Sequence, residues 1–72
     1  MTVTTRTIEL LLNGCRVATA ARTVGDLIVE QDFTGVKVAT AVNGHFVREP
    51  QRATTPLNPG DRVEILSARQ GG

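Results

Sequence analysis

Tryptophan and tyrosine are missing from this chain, cysteine and histidine occur once each, and the only aromatic rings of the Phe, Tyr or Trp type are Phe33 and Phe46. Proteins that grip single-stranded nucleic acid usually line a basic groove with aromatic stacking platforms. Eight basic residues stand against seven acidic ones here, with no block of one sign, so a nucleic-acid partner is not expected. Cys15 has no second cysteine to bridge to. Together with His45 it falls short of the roughly four Cys or His ligands of a structural zinc site. One unpaired cysteine suits a reducing compartment, and Met1-Thr2-Val3-Thr4-Thr5 has neither the basic nor the apolar region of a signal peptide. A cytoplasmic location is expected. No apolar run nears the roughly 18 residues of a membrane span. At 72 residues the chain reads as one small domain near the lower limit for folding without a staple, and a protein is the expected partner.

The chain does carry alternation and turn signals. Ile8, Leu10 and Leu12 recur at period two and predict a strand. Asn13-Gly14 then predicts a tight hairpin, because both turn positions tolerate positive φ. Cys15 to Thr19 is the returning strand, with Val17 as its core candidate. Thr23-Val24-Gly25-Asp26 imitates a capping box with Asp in place of Glu. Val24, Leu27, Ile28 and Gln31 follow at helical spacing, so residues 24–31 are predicted to form a short amphipathic helix. Gly25 weakens that helix by about 1 kcal/mol relative to Ala, so its stability must come from docking. Phe33-Thr34-Gly35 should end it. Val36 to Val42 is β-branched and short-sided, as a strand beneath a helix requires. Asn43-Gly44 repeats the hairpin signal, and His45 to Val47 returns. Arg48 to Thr55 is irregular, with one helical turn after Pro50. Asn58-Pro59-Gly60-Asp61 is a turn, and Arg62 to Leu66 is the last strand.

The order ββαβββ predicts an α+β domain with a mixed sheet of four to five strands and one helix across it. The alternation leaves the pairing of first and last strands open. If they pair in parallel at the sheet centre, the architecture is the β-grasp, or ubiquitin-like, fold. Residues 1–67 are assigned to this domain, with 1–5 as a flexible extension, and residues 68–72 to a flexible tail. From Ser67 to Gly72 an extended chain reaches roughly 20 Å. Two glycines do little for a fold and much for entry into a narrow channel, although a plain disordered end has the same appearance.

Three segments in order resemble the ThiS family of sulfur carriers in thiamin thiazole synthesis: Ala41-Val42-Asn43-Gly44-His45-Phe46-Val47, Pro59-Gly60-Asp61-Arg62-Val63-Glu64-Ile65-Leu66, and Arg69-Gln70-Gly71-Gly72. The resemblance covers the chain beyond its first few residues. It departs at Val47-Arg48-Glu49-Pro50, where the family pattern has proline directly after the valine. It implies a carrier that is a co-substrate and not itself an enzyme, with no metal and no bound cofactor. An E1-like adenylyltransferase of the ThiF type would use ATP to adenylate the Gly72 carboxylate. A sulfur donor fed by a cysteine desulfurase would convert it to a thiocarboxylate, and a thiazole synthase of the ThiG type would take up the sulfur. Gly71, Gln70 and Arg69 would occupy the partner's channel and its mouth.

Other readings stay open at this level. The same chemistry serves molybdopterin and cysteine synthesis, although Arg69-Gln70 before the glycines resembles the thiazole type. A protein modifier joined to target lysines, or a ubiquitin-like interaction module with an incidental tail, also fits. Phe46, Val47 and Leu57 are candidates for an apolar docking patch, with Phe46 equally suited to the core. Cys15 reads as a small, partly buried strand residue in preference to a sulfur acceptor, and His45 as a solvent-facing hairpin residue.

Overall fold

The computed structural model describes residues 6–67. Strand β1 (Ile8–Leu12) pairs antiparallel with β2 (Cys15–Thr19) in the register Ile8↔Thr19 to Leu12↔Cys15. The turn between them has Asn13 at φ 51° and Gly14 at φ 83°, both left-handed, which matches the right-handed twist of the flanking strands. Strands β3 (Val38–Val42) and β4 (His45–Val47) repeat the device through Asn43 and Gly44. A 3₁₀ turn covers Glu49–Gln51, and β5 (Arg62–Ser67) closes the order.

The sheet order is β2-β1-β5-β3-β4, with β5 parallel to β1 and antiparallel to β3. The first and last strands therefore do pair in parallel at the centre, and the architecture is the ubiquitin-like β-grasp. Helix α1 (Val24–Glu30) lies over one face. Leu10, Leu12, Val24, Leu27, Val63 and Ile65 form the buried cluster between them, joined by Ala21 and Leu57. Val17 is only half-buried, packed against the margin of that cluster. Cys15, expected to be partly buried, is exposed: it opens an edge strand directly after the turn, beyond the cover of the helix.

Both ends of α1 are closed by specific partners. Thr23 Oγ1 accepts the Asp26 N–H at 3.1 Å. The reciprocal bond differs from a capping box, because Asp26 Oδ2 accepts from Arg22 N–H at 3.2 Å, one residue before the cap. Val24 and Gly25 N–H donate to Thr55 and Arg52 carbonyls, which satisfies donors that a helix start leaves open. Gln31 caps the other end and is exposed, so it does not extend the apolar face. Asp32 at φ 64° donates its N–H to Val29 C=O, and Phe33 donates to Ile28 C=O. That is the double bond pattern of a Schellman stop, with Asp where glycine is usual. Gly35 (φ 81°) belongs to the next turn, closed by Val36 N–H to Phe33 C=O, so β3 starts at Val38, two residues later than its β-branched run suggests.

The two Asn-Gly turns also hold the central strand from both sides. Asn13 Nδ2 donates to Ile65 C=O at 3.0 Å, and its Oδ1 accepts Ile65 N–H at 2.9 Å. The amide acts as one more peptide of β1 and extends the ladder past Leu12↔Val63. At the opposite end Asn43 Oδ1 accepts Arg62 N–H at 2.9 Å, and its Nδ2 donates to Asp61 Oδ1 at 3.0 Å. Asn13→Gly keeps the turn geometry and removes both amide bonds, so it should cost about 1–3 kcal/mol. Asn13→Ala should cost more, because Ala resists positive φ. Urea unfolding of the two variants checks the order.

Candidate functional site

Arg69, Gln70, Gly71 and Gly72 lie outside the described residues. What the structure does describe is the base from which they extend. Strand β5 pairs with β3 as far as Val38↔Ser67, so the last described residue is still held in the sheet. Because β5 runs parallel to β1, the Asn13-Gly14 turn points toward this end. Cys15, opposite Leu12, stands level with Val63, four residues short of Ser67 on β5.

The face of the sheet opposite α1 carries no second layer among the described residues. Alternation forces the side chains there: with Val63 and Ile65 turned into the core, Glu64 and Leu66 must point away. The pairs Ala39↔Leu66, Ala41↔Glu64 and Ala41↔Phe46 put these residues on one surface. Phe46 is 67% exposed and Leu66 58%. The two alanines beside them leave a shallow hollow of about 130 Å³. A second hollow of about 340 Å³ runs past Lys37 to Ser67, and a third of about 530 Å³ reaches Leu11 and the Asn13-Gly14 turn. Leu66 borders all three. The charges on this face include Arg16 and Arg62 against Glu9 and Glu64, which balance. The Glu9–Arg16 pair, 3.7 Å apart, is exposed on both sides and adds little.

The expected docking patch therefore changes its membership. Leu57 is buried against the helix, because Leu57 N–H bonds Arg22 C=O and draws the loop inward. Val47 is buried as well. Phe46 remains, and Leu66 joins it. Alternation from Ile65 was the signal that could have found Leu66, whereas Leu57 sits in a loop with no period to read.

Among the described residues no three His, Cys, Asp or Glu side chains gather as a metal-binding group, and no helix is long and apolar enough to cross a membrane. His45 is exposed at the start of β4. The arrangement offers an open, largely apolar sheet face whose central strand ends at Ser67, the last described residue.

The model of the ThiS family matches residues 6–72. The fold is similar to the crystal structure of a thiamine biosynthesis protein (ThiS) from Geobacter metallireducens, at TM-score 0.74 and 22% identity, over 82% of this chain and 91% of that one. That likeness shows the fold. No curated protein matches the chain by sequence.

Proposed function

This chain belongs to the ThiS family, and from that premise we propose that it carries sulfur for thiamin thiazole synthesis on the carboxylate of Gly72. The observation that carries this reading is the extent of the family match, which runs through Gly71 and Gly72, on a domain whose central strand leads into them. A carboxylate is a poor electrophile. An E1-like adenylyltransferase joins it to AMP, with pyrophosphate released from ATP. A sulfur nucleophile attacks that mixed anhydride, the C–O bond to AMP breaks, and a thiocarboxylate remains. A sulfur donor fed by a cysteine desulfurase supplies the atom in the cell, and thiazole synthase consumes it. The carrier provides no general base; its body positions the reacting end.

The activating enzyme docks on the open sheet face, with Phe46 and Leu66 as apolar anchors. Large exposed side chains at the centre of an interface are the ones whose truncation costs most, about 1–2 kcal/mol or more. Phe46→Ala and Leu66→Ala should each raise the KM of ATP–pyrophosphate exchange roughly tenfold, with thermal unfolding within about 0.5 kcal/mol of the parent. An unchanged KM in both variants contradicts docking on this face.

A further inference from the structure

The two Asn-Gly turns are chemically alike and structurally unequal. In such a dipeptide the glycine amide nitrogen is unhindered and can attack the asparagine side-chain carbonyl. A new N–C bond closes a five-membered imide, the bond to the amide nitrogen breaks, and that nitrogen leaves as ammonia with the glycine proton. Water then opens the ring at either carbonyl, leaving aspartate or isoaspartate.

In the folded chain both amides must first leave their latches. Asn13, itself exposed, makes its two bonds to the backbone of one central residue, Ile65, and those bonds are partly buried. Its hairpin pairs the edge strand β2 with β1 over five residues. Asn43 holds Arg62 N–H and Asp61 in exposed positions. Its hairpin closes on β4, a three-residue strand at the edge of the sheet that pairs with β3 alone. Both hairpins end on an edge strand, so length and exposure decide: a three-residue pairing with exposed bonds opens at lower free energy than a five-residue one with partly buried bonds.

We propose that Asn43 is a site of spontaneous deamidation in the folded protein and that Asn13, held in its latch, is spared. The product at position 43 loses the N–H that reaches Asp61 and sets a second carboxylate against the first. The isoaspartyl form also lengthens the main chain of the turn that leads to Phe46.

Trypsin places the two sites on separate peptides, 7–16 and 38–48. The full chain is incubated folded, and in parallel in concentrated urea. Peptide mass and chromatographic separation of the isoaspartyl forms then follow each site. The 38–48 peptide should deamidate roughly tenfold faster than 7–16 in the folded sample, and the two rates should converge in urea, where both asparagines meet only glycine. Equal rates in the folded sample, faster reaction at Asn13, or a gap that persists in urea overturns the proposal.

Discussion

Gly71→Val, or removal of Gly72, should reduce ATP–pyrophosphate exchange by the activating enzyme at least about a hundredfold while the domain stays folded. Deleting one residue shifts the reacting carboxyl by about 3.5 Å, and a misplacement of 1 Å can already cost about a hundredfold in rate. Valine at 71 adds a branched side chain that the proposed channel, entered by two glycines, should not admit. The body should not notice. Among the described residues the buried cluster ends at Ile65, and two glycines carry no side chain to bury, so stability should move by less than about 0.5 kcal/mol. Thermal unfolding and exchange measured on the same variants separate the two effects. Retained exchange means that the end of the chain is not the substrate, and lost folding means that it belongs to the core.

The largest effect on stability should come from Leu27→Ala. Helix α1 has seven residues, too few to persist alone in water, and Gly25 weakens it further. Docking holds it in place, and Leu27, 0% exposed, is its central anchor. Emptying such a site costs about 2–5 kcal/mol, a large share of the stability of a domain this size. The melting temperature should fall by roughly 10 °C or more. Val29→Ala, on the exposed side of the same helix, should change stability by no more than about 0.5 kcal/mol. A Leu27→Ala shift below about 1 kcal/mol in urea unfolding contradicts this account of the core.

Much of the fold was legible because its signals are local. Each Asn-Gly pair announced a turn, and both turns have the backbone that such pairs favour. Period-two runs located the strands, and the helix lies where Thr23 and its apolar spacing put it. The misses depend on distant partners or on an unusual residue. The helix ends within a residue of the predicted 31, but Asp32 stops it in a conformation more often taken by glycine, where the sequence offered Phe33-Thr34-Gly35 as the stop. The Asn13 amide finds Ile65 across 52 positions, and the Asn43 amide finds Arg62 across 19. No window of sequence contains either contact. Leu57 resembled a surface anchor because its loop is polar, and only the packing of that loop against the helix start buries it. Leu66 could have been placed outward by the alternation that puts Ile65 inward. The reacting end was read from residue types and a resemblance, and it lies beyond the residues that the structure describes.

The most direct test of the carrier reading is the intact mass of the chain after incubation with the activating enzyme, ATP and hydrosulfide, followed by fragmentation. The account predicts a mass gain equal to one oxygen exchanged for sulfur, mapped to Gly72, and dependent on ATP. No gain, while a known carrier is modified in parallel, contradicts it, as does a gain that maps to Cys15.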